Sequence, residues 1–269
     1  MKLLRVFSFF ILWSLSTFSQ TTDWEKMSLI GKVKQVRIKE CLLQGQGSDA
    51  RKICKVQRVF YFNEHGALTK RLTYEFDQLV ESDQYCYKDG VLQQIVCSGA
   101  DTHVKRFTVF SYDGDGDCVE EKIFTGKAVP TTQYLYQYDA QHRKIDMKGY
   151  NLRDNEKCFV HEQYRYDAMG NRAEKRSDKR IDNYQYQYDE KEQLMSLIET
   201  HAQNGKIVSR IQTRFIDNSA GQCREEVRSE GEREISTLYQ LDELGNWVRK
   251  TTIESAERTI LTEREFDYF

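Results

Sequence analysis

Tyr164-Arg165-Tyr166-Asp167-Ala168-Met169-Gly170-Asn171 is the stretch whose reading decides the fold. Two tyrosines at i and i+2 fall on one face of a strand, while the intervening Arg165 points the other way. Asp167 and Gly170 then bring the residue types of a tight turn, a short side-chain acceptor and a position free to adopt positive φ. The stretch reads as the end of one strand, a turn and the start of the next.

The phrase recurs along the chain. It appears as Phe60-Tyr61-Phe62-Asn63 with Gly66, Tyr85-Cys86-Tyr87-Lys88 with Gly90, and Phe110-Ser111-Tyr112-Asp113 with Gly116. Tyr136-Gln137-Tyr138-Asp139 and Tyr186-Gln187-Tyr188-Asp189 flank the opening example, and weaker copies follow at Phe215-Ile216-Asp217 and Tyr239-Gln240-Leu241-Asp242. Successive anchors lie 25, 25, 26, 28, 22, 28 and 25 residues apart. Self-similarity at a fixed period is the signature of a repeat architecture. Alternating strands such as Leu68 to Leu72, Leu92 to Val96 and Trp247 to Thr251 follow the turns, so each unit is a β-hairpin. Eight hairpins, with the segment from Lys32 to Ile38 and its partner before them and Glu263 to Phe269 after them, predict about eighteen antiparallel strands. Open sheets rarely exceed ~10 strands without curling, so the expected all-β fold is a curled or spiralling sheet with the Tyr/Phe rows covered and stacked from repeat to repeat.

These residues resemble the YD repeats of Rhs-type and teneurin-type proteins over roughly residues 59–269. Leu29 to Lys34, Asp242 to Trp247 and Thr262 to Glu265 are also similar to small exported repeat proteins of Bacteroidota-type bacteria. The resemblance implies a β-sheet scaffold without catalysis of its own. Long Rhs proteins wrap a C-terminal toxin in such repeats. This chain ends on its last repeat, and its only proline is Pro130.

Upstream of the repeats, Lys2 and Arg5 precede the apolar run from Val6 to Leu15 and the small-residue pattern Thr17-Phe18-Ser19. That is the pattern of an export leader, with cleavage expected after Ser19 and an apolar run too short for a spanning helix. The expected organisation is a leader at 1–19, an N-terminal strand and hairpin cap at 20–58 and repeats at 59–269. Loss of Lys2 and Arg5 moves the formal charge from -2 to -4.

An exported chain with seven cysteines invites a disulfide. If the chain reverses at Gly47-Ser48, facing residues sum to 95, as Cys41 and Cys54 do, which makes them the candidate pair. Cys86 and Cys97 miss the register of the Asp89-Gly90 turn by four positions. Cys86, Cys97, Cys118, Cys158 and Cys223 read as buried small apolar residues rather than metal or redox groups.

A balance of 40 Lys+Arg against 42 Asp+Glu leaves no basic footprint for nucleic acid, and 16 Tyr with 14 Phe are incompatible with disorder. Asp113-Gly114-Asp115-Gly116-Asp117 looks like the start of a calcium loop, but Cys118 and Phe124 stand where an EF-hand needs glycine and glutamate. His65, His103, His142, His161 and His201 show no ligand spacing, and no nucleophile elbow, Walker loop or dinucleotide fingerprint occurs. The expectation is a non-enzyme with no catalytic, metal or cofactor residues. Its partner is expected to be a protein or glycan at the cell surface or in the periplasm, with no stable membrane span. Two alternatives stand beside this binding scaffold: a structural, assembly or shell-type component, and an outer-membrane β-barrel, which needs an apolar outward band that the Lys, Arg, Glu and Gln rows do not supply.

Overall fold

A computed structural model describes residues 22–44, 51–126, 129–217, 223–255 and 258–269. The leader and the reversal at Gly47-Ser48 lie outside these residues. A short helix, α1 (Asp23–Lys26), precedes β1 (Val33–Gln44), β2 (Arg51–Phe62), β3 (Leu68–Glu75), β4 (Gln78–Lys88), β5 (Val91–Gly99) and β6 (Val104–Tyr112). Then come β7 (Cys118–Thr125), β8 (Pro130–Tyr138), β9 (Lys144–Asn151), β10 (Lys157–Tyr166), β11 (Arg172–Ser177) and β12 (Arg180–Tyr188). The last six are β13 (Leu194–Gln203), β14 (Lys206–Asp217), β15 (Cys223–Glu230), β16 (Arg233–Leu241), β17 (Trp247–Ser255) and β18 (Arg258–Tyr268).

Every strand pairs antiparallel with the one before and the one after it, and β18 returns to pair with β1 from Leu43↔Thr259 to Val33↔Tyr268. The sheet is therefore a closed eighteen-stranded barrel. This corrects the expectation of a curled or spiralling sheet: the curl continues until the two edges meet, which removes both unpaired edges at once. A repeated irregularity bends the wall. At each of eight hairpins the register slips by one residue just before the turn, as between Gln137 and Tyr138 or Arg165 and Tyr166. A bulge of this kind bends its strand and increases local twist.

Among the described residues, six of these turns share one set of bonds. In each, the side-chain oxygen of the first residue, Asn63, Asp113, Asp139, Asp167, Asp189 or Asp242, accepts the backbone N–H groups two and four residues on. The fourth residue closes the turn at positive φ, and is Gly66, Gly116, Gly170 or Gly245 in four of them. His142 and Glu192 hold that conformation in the other two. The Asp89-Gly90 turn is the shorter two-residue form, flanked by Lys88↔Val91.

The strand alternation separates two faces. Tyr85, Tyr87, Tyr112, Tyr134, Tyr136, Tyr138, Tyr164, Tyr166, Tyr184 and Tyr186 share one face with Val36, Phe60, Ile211 and Thr213. Closing a sheet crowds the side chains of its concave face and splays those of its convex face, so this more buried row lies inside. Arg37, Lys39, Glu265, Arg249, Arg214, Gln185 and Arg165 occupy the outer face, joined by ion pairs such as Arg37–Glu265 and Arg249–Glu263. A core cluster of Leu29, Val33, Val36, Phe62 and Leu68 lies where the N-terminal segment docks at the rim of the turns, with Trp24, Phe60, Tyr85 and Phe266 against it. Trp24 donates from Nε1 to the Val33 carbonyl at 2.7 Å. Asn246, only 1% exposed, receives the Ile30 N–H and donates to the Ile30 carbonyl, pinning the segment to the last turn.

Cys41 and Cys54 are joined by a disulfide and face each other across β1 and β2, in a register whose pairs sum to 95 from Cys41↔Cys54 to Gln44↔Arg51. Of the other cysteines, Cys97 is buried as expected and Cys118 half-buried, whereas Cys86 and Cys158 are exposed, because their strand positions face outward or lie at the far rim; the side chain of Cys223 lies outside the described residues. No described helix is long and apolar enough to cross a membrane.

Candidate functional site

Position in the barrel, rather than proximity in sequence, brings polar residues together at two places: the rim of the aspartate turns and the inner wall. At the rim, an open groove of about 660 Å³ between the turns beginning at Asp113 and Asp139 is lined by Asp113, Asp115, Asp117, Tyr138, Asp139 and His142 among others. His142 Nδ1 lies 2.8 Å from Asp117 Oδ2, linking one turn to the next. The hydrogen bond to Asp117 and the neighbouring carboxylates raise the imidazole above its ordinary pKa. Burial works against ionisation of Asp139, but hydrogen bonds from the Arg143 side chain and backbone outweigh it and hold the carboxyl below its usual range. The Asp113 carboxylate, which the alternating acidic pattern suggested for calcium, is used inside its own turn, where Oδ1 accepts from Asp115 and Asp117.

On the inner wall, the tyrosine rows are joined differently from the expected ring stacking. Tyr112, Tyr138 and Tyr166 each reach one hairpin back and donate a hydroxyl to the carbonyl of Leu92, Cys118 and Lys144, at 2.7, 2.9 and 2.7 Å. The single hydroxyl proton of Tyr87 lies between two acceptors, the Leu68 carbonyl at 2.9 Å and Asp23 Oδ2 of α1 at 3.0 Å. Cations sit between the rings instead. Lys144 Nζ lies over Tyr136 and Tyr164, Arg172 over Tyr164, Arg143 over Tyr166 and Arg264 over Trp247. Burial lowers the pKa of Lys144 and takes that of Arg264 down to about 10, and it raises Tyr136 and Glu121, which hydrogen-bond each other.

The five histidines do not converge. His65 and His142 stand in exposed turns and His103 at the opposite rim, while His161 pairs with Asp146 at 2.7 Å on the outer face. His201 is buried on the inner face beside Asp182, at 2.6 Å, with Arg180 bound to the same carboxylate. Sequence reasoning missed two groupings, Asp182 with His201 and Glu81 with Asp83 and Cys97. A signal was there to read: Asp83-x-Tyr85-x-Tyr87 and Asp182-x-Tyr184-x-Tyr186 place a carboxylate in the same alternation as the tyrosines.

No protein-family model matches the chain, and no curated protein matches it. Solved structures do. A porin-like protein from Bacteroides uniformis is 11% identical with a TM-score of 0.45, covering 87% of this chain and 96% of that one. A porin-like protein from Bacteroides vulgatus is 12% identical with a TM-score of 0.34, covering 88% and 98%. The TcdB2-TccC3 structure lacking its hypervariable C-terminal region is 16% identical with a TM-score of 0.39, and this chain spans 10% of its length. Likenesses at this level carry nothing about function.

Proposed function

We propose that this protein is an exported, non-enzymatic binding scaffold built on YD-type hairpin repeats, presenting the rim of aspartate turns to a protein partner. One observation carries the reading: six turns keep the same backbone bonds while their second and third residues, all exposed, vary freely. These pairs are Glu64-His65, Gly114-Asp115, Ala140-Gln141, Ala168-Met169, Glu190-Lys191 and Glu243-Leu244. A rigid frame holding variable exposed loops is how binding surfaces are commonly made. The covered faces of Tyr136, Tyr164 and Tyr166 favour a protein over a glycan, because a sugar would have to displace the cations that occupy them. The test is a pull-down from an envelope extract of the producing cells, comparing the chain from Gln20 with a variant in which these six pairs become serine. Loss of a specific captured protein at unchanged melting supports the reading. Equal capture by both, or glycan binding lost with Tyr136→Ala, overturns it.

A second reading, an outer-membrane barrel, is favoured by the even-numbered, next-neighbour closure, which pairs backbone groups all round the wall. Against it, Arg37, Lys39, Arg165, Arg214 and Arg249 would meet acyl chains, at roughly 2 to 4 kcal/mol for each at the bilayer midplane. Alkaline washing of isolated envelopes separates the two. The scaffold is released without detergent, and a barrel in the bilayer is not.

A further inference from the structure

We propose that Glu81, Asp83 and Cys97 form a binding site for one thiophilic divalent cation of the zinc or cadmium type. Asp83 on β4 faces Cys97 on β5 directly, and Glu81 lies two residues earlier on the same inner face, opposite Gly99. One carboxylate oxygen from each acid and the Cys97 sulfur all lie within 4.8 Å of one another. Asp83 and Cys97 are 2% and 1% exposed.

The orphaned oxygen is what points to a ligand. Arg71 holds Asp83 Oδ2 and, at 3.2 Å, Glu81 Oε1, which Arg106 also approaches at 3.3 Å. Asp83 Oδ1 is shut off from solvent and accepts from no N–H or O–H group, and the donor that faces the two carboxylates is the weak S–H of Cys97. Leaving such a group buried and unsatisfied is costly, more so when it is charged. A cation bridging Oδ1, Glu81 and the sulfur satisfies it. Two hard oxygens and one soft sulfur suit a four-coordinate zinc-type ion with water in the fourth position, and they are a poor set for calcium or magnesium, which take oxygen ligands only.

Binding exchanges the thiol proton for the metal: the S–H bond breaks, a sulfur–metal bond forms and the proton leaves to solvent. Glu81 and Arg106, the more exposed members, mark the way in. Arg71 would remain on Asp83 Oδ2 and fix the carboxylate's orientation, as outer partners of metal ligands do.

The experiment titrates the metal-free chain, with its Cys41–Cys54 bridge intact, with Cd²⁺ and Zn²⁺. Expected are one equivalent bound, a thiolate-to-cadmium charge-transfer band in the ultraviolet and a raised melting midpoint with either metal. Cys97→Ser and Glu81→Gln should remove the band or weaken binding at least tenfold. A variant with Cys86, Cys118, Cys158 and Cys223 all changed to serine should keep it. Glu81→Gln guards against a folding artefact, since its side chain is partly exposed and its melting in the absence of metal can be compared directly. No band and no thermal shift with either metal, a band that survives Cys97→Ser, or a response to Ca²⁺ alone would overturn the site.

Discussion

The Tyr138 hydroxyl donates to the Cys118 carbonyl at 2.9 Å, so a side chain at the end of one hairpin is bonded to the backbone just after the turn of the preceding hairpin. Tyr166 repeats the bond one unit further on, to Lys144. Each unit is thereby strapped to its neighbour by a group that also fills the inner wall, and loss of the strap can be measured apart from loss of the ring.

Tyr166→Phe should cost roughly 0.5 to 1.5 kcal/mol, the usual worth of one net hydrogen bond. Tyr166→Ala should cost more, approaching the ~3 kcal/mol of large aromatic truncations, since the ring also carries Arg143 at 4.8 Å. Gln185→Ala, on the exposed outer face, should stay within ~0.5 kcal/mol. Gln187 is a poorer control, because its side chain accepts a hydrogen bond from buried Ser196 at 2.7 Å. Denaturant melts of the four proteins decide it, and equal midpoints for Tyr166→Ala and wild type would make the ladder a recognition surface.

The turn cap predicts an asymmetry between two substitutions at Asp167. Asp167→Ala removes an oxygen that accepts from Met169 and Asn171 and should cost about 1 to 2 kcal/mol, as loss of a helix cap does. Asp167→Asn should cost less than half as much, because Asn63 already makes the same two bonds through its amide oxygen. Thermal unfolding of the pair is the check.

Gly66 and Gly170 both sit at positive φ, so alanine strains both backbones equally. Only at Gly66 would the new Cβ meet another residue, 2.6 Å from Trp24 Cε3. Gly66→Ala should therefore be worse than Gly170→Ala by the ~1 to 3 kcal/mol typical of overpacking. The excess should vanish when both are measured in a Trp24→Ala background; persistence there would mean that the helix segment does not dock on this turn.

The His142–Asp117 link gives a pH signature. His142 has a folded pKa above its unfolded value, so the stabilisation is fully present below about 6.5 and is lost as pH rises through the folded pKa. Asp139, depressed by Arg143, works in the opposite direction: its contribution is present above the unfolded pKa and is lost as the solution is acidified. The melting midpoint should fall slightly between pH 6 and 8 in wild type and not in His142→Gln, with acid sensitivity unchanged in that variant.

Reduction of the Cys41–Cys54 bridge should lower stability by roughly 2 to 4 kcal/mol. Peptide mapping under non-reducing conditions checks the pairing, and recovery of both residues as free thiols from oxidising culture would refute it.

Much of the wall is legible in the residues themselves. A period of two places Tyr164 and Tyr166 on one face, an Asp or Asn with a residue at positive φ makes the turn, and the short distance between Cys41 and Cys54 confines their register to a single hairpin. All of this is local, settled among residues a few positions apart. The closure is not local. It joins β1 to β18 through pairs such as Val36↔Phe266, and no short stretch encodes them. They follow from the twist and bulges accumulated around the ring. The same holds for the polar groupings. Asp83 and Cys97 come together across one hairpin, but Arg71 and Arg106 arrive from the strands on either side. Asp182 meets His201 only because β12 and β13 lie in that register. The sequence alone determines strands, turns and faces, because these obey near-neighbour sterics and hydrogen bonding. Only the tertiary structure decided that the wall closes, that Trp24 packs at its rim and that a buried carboxylate oxygen faces the interior without an N–H or O–H donor, because each depends on segments brought together by the whole barrel.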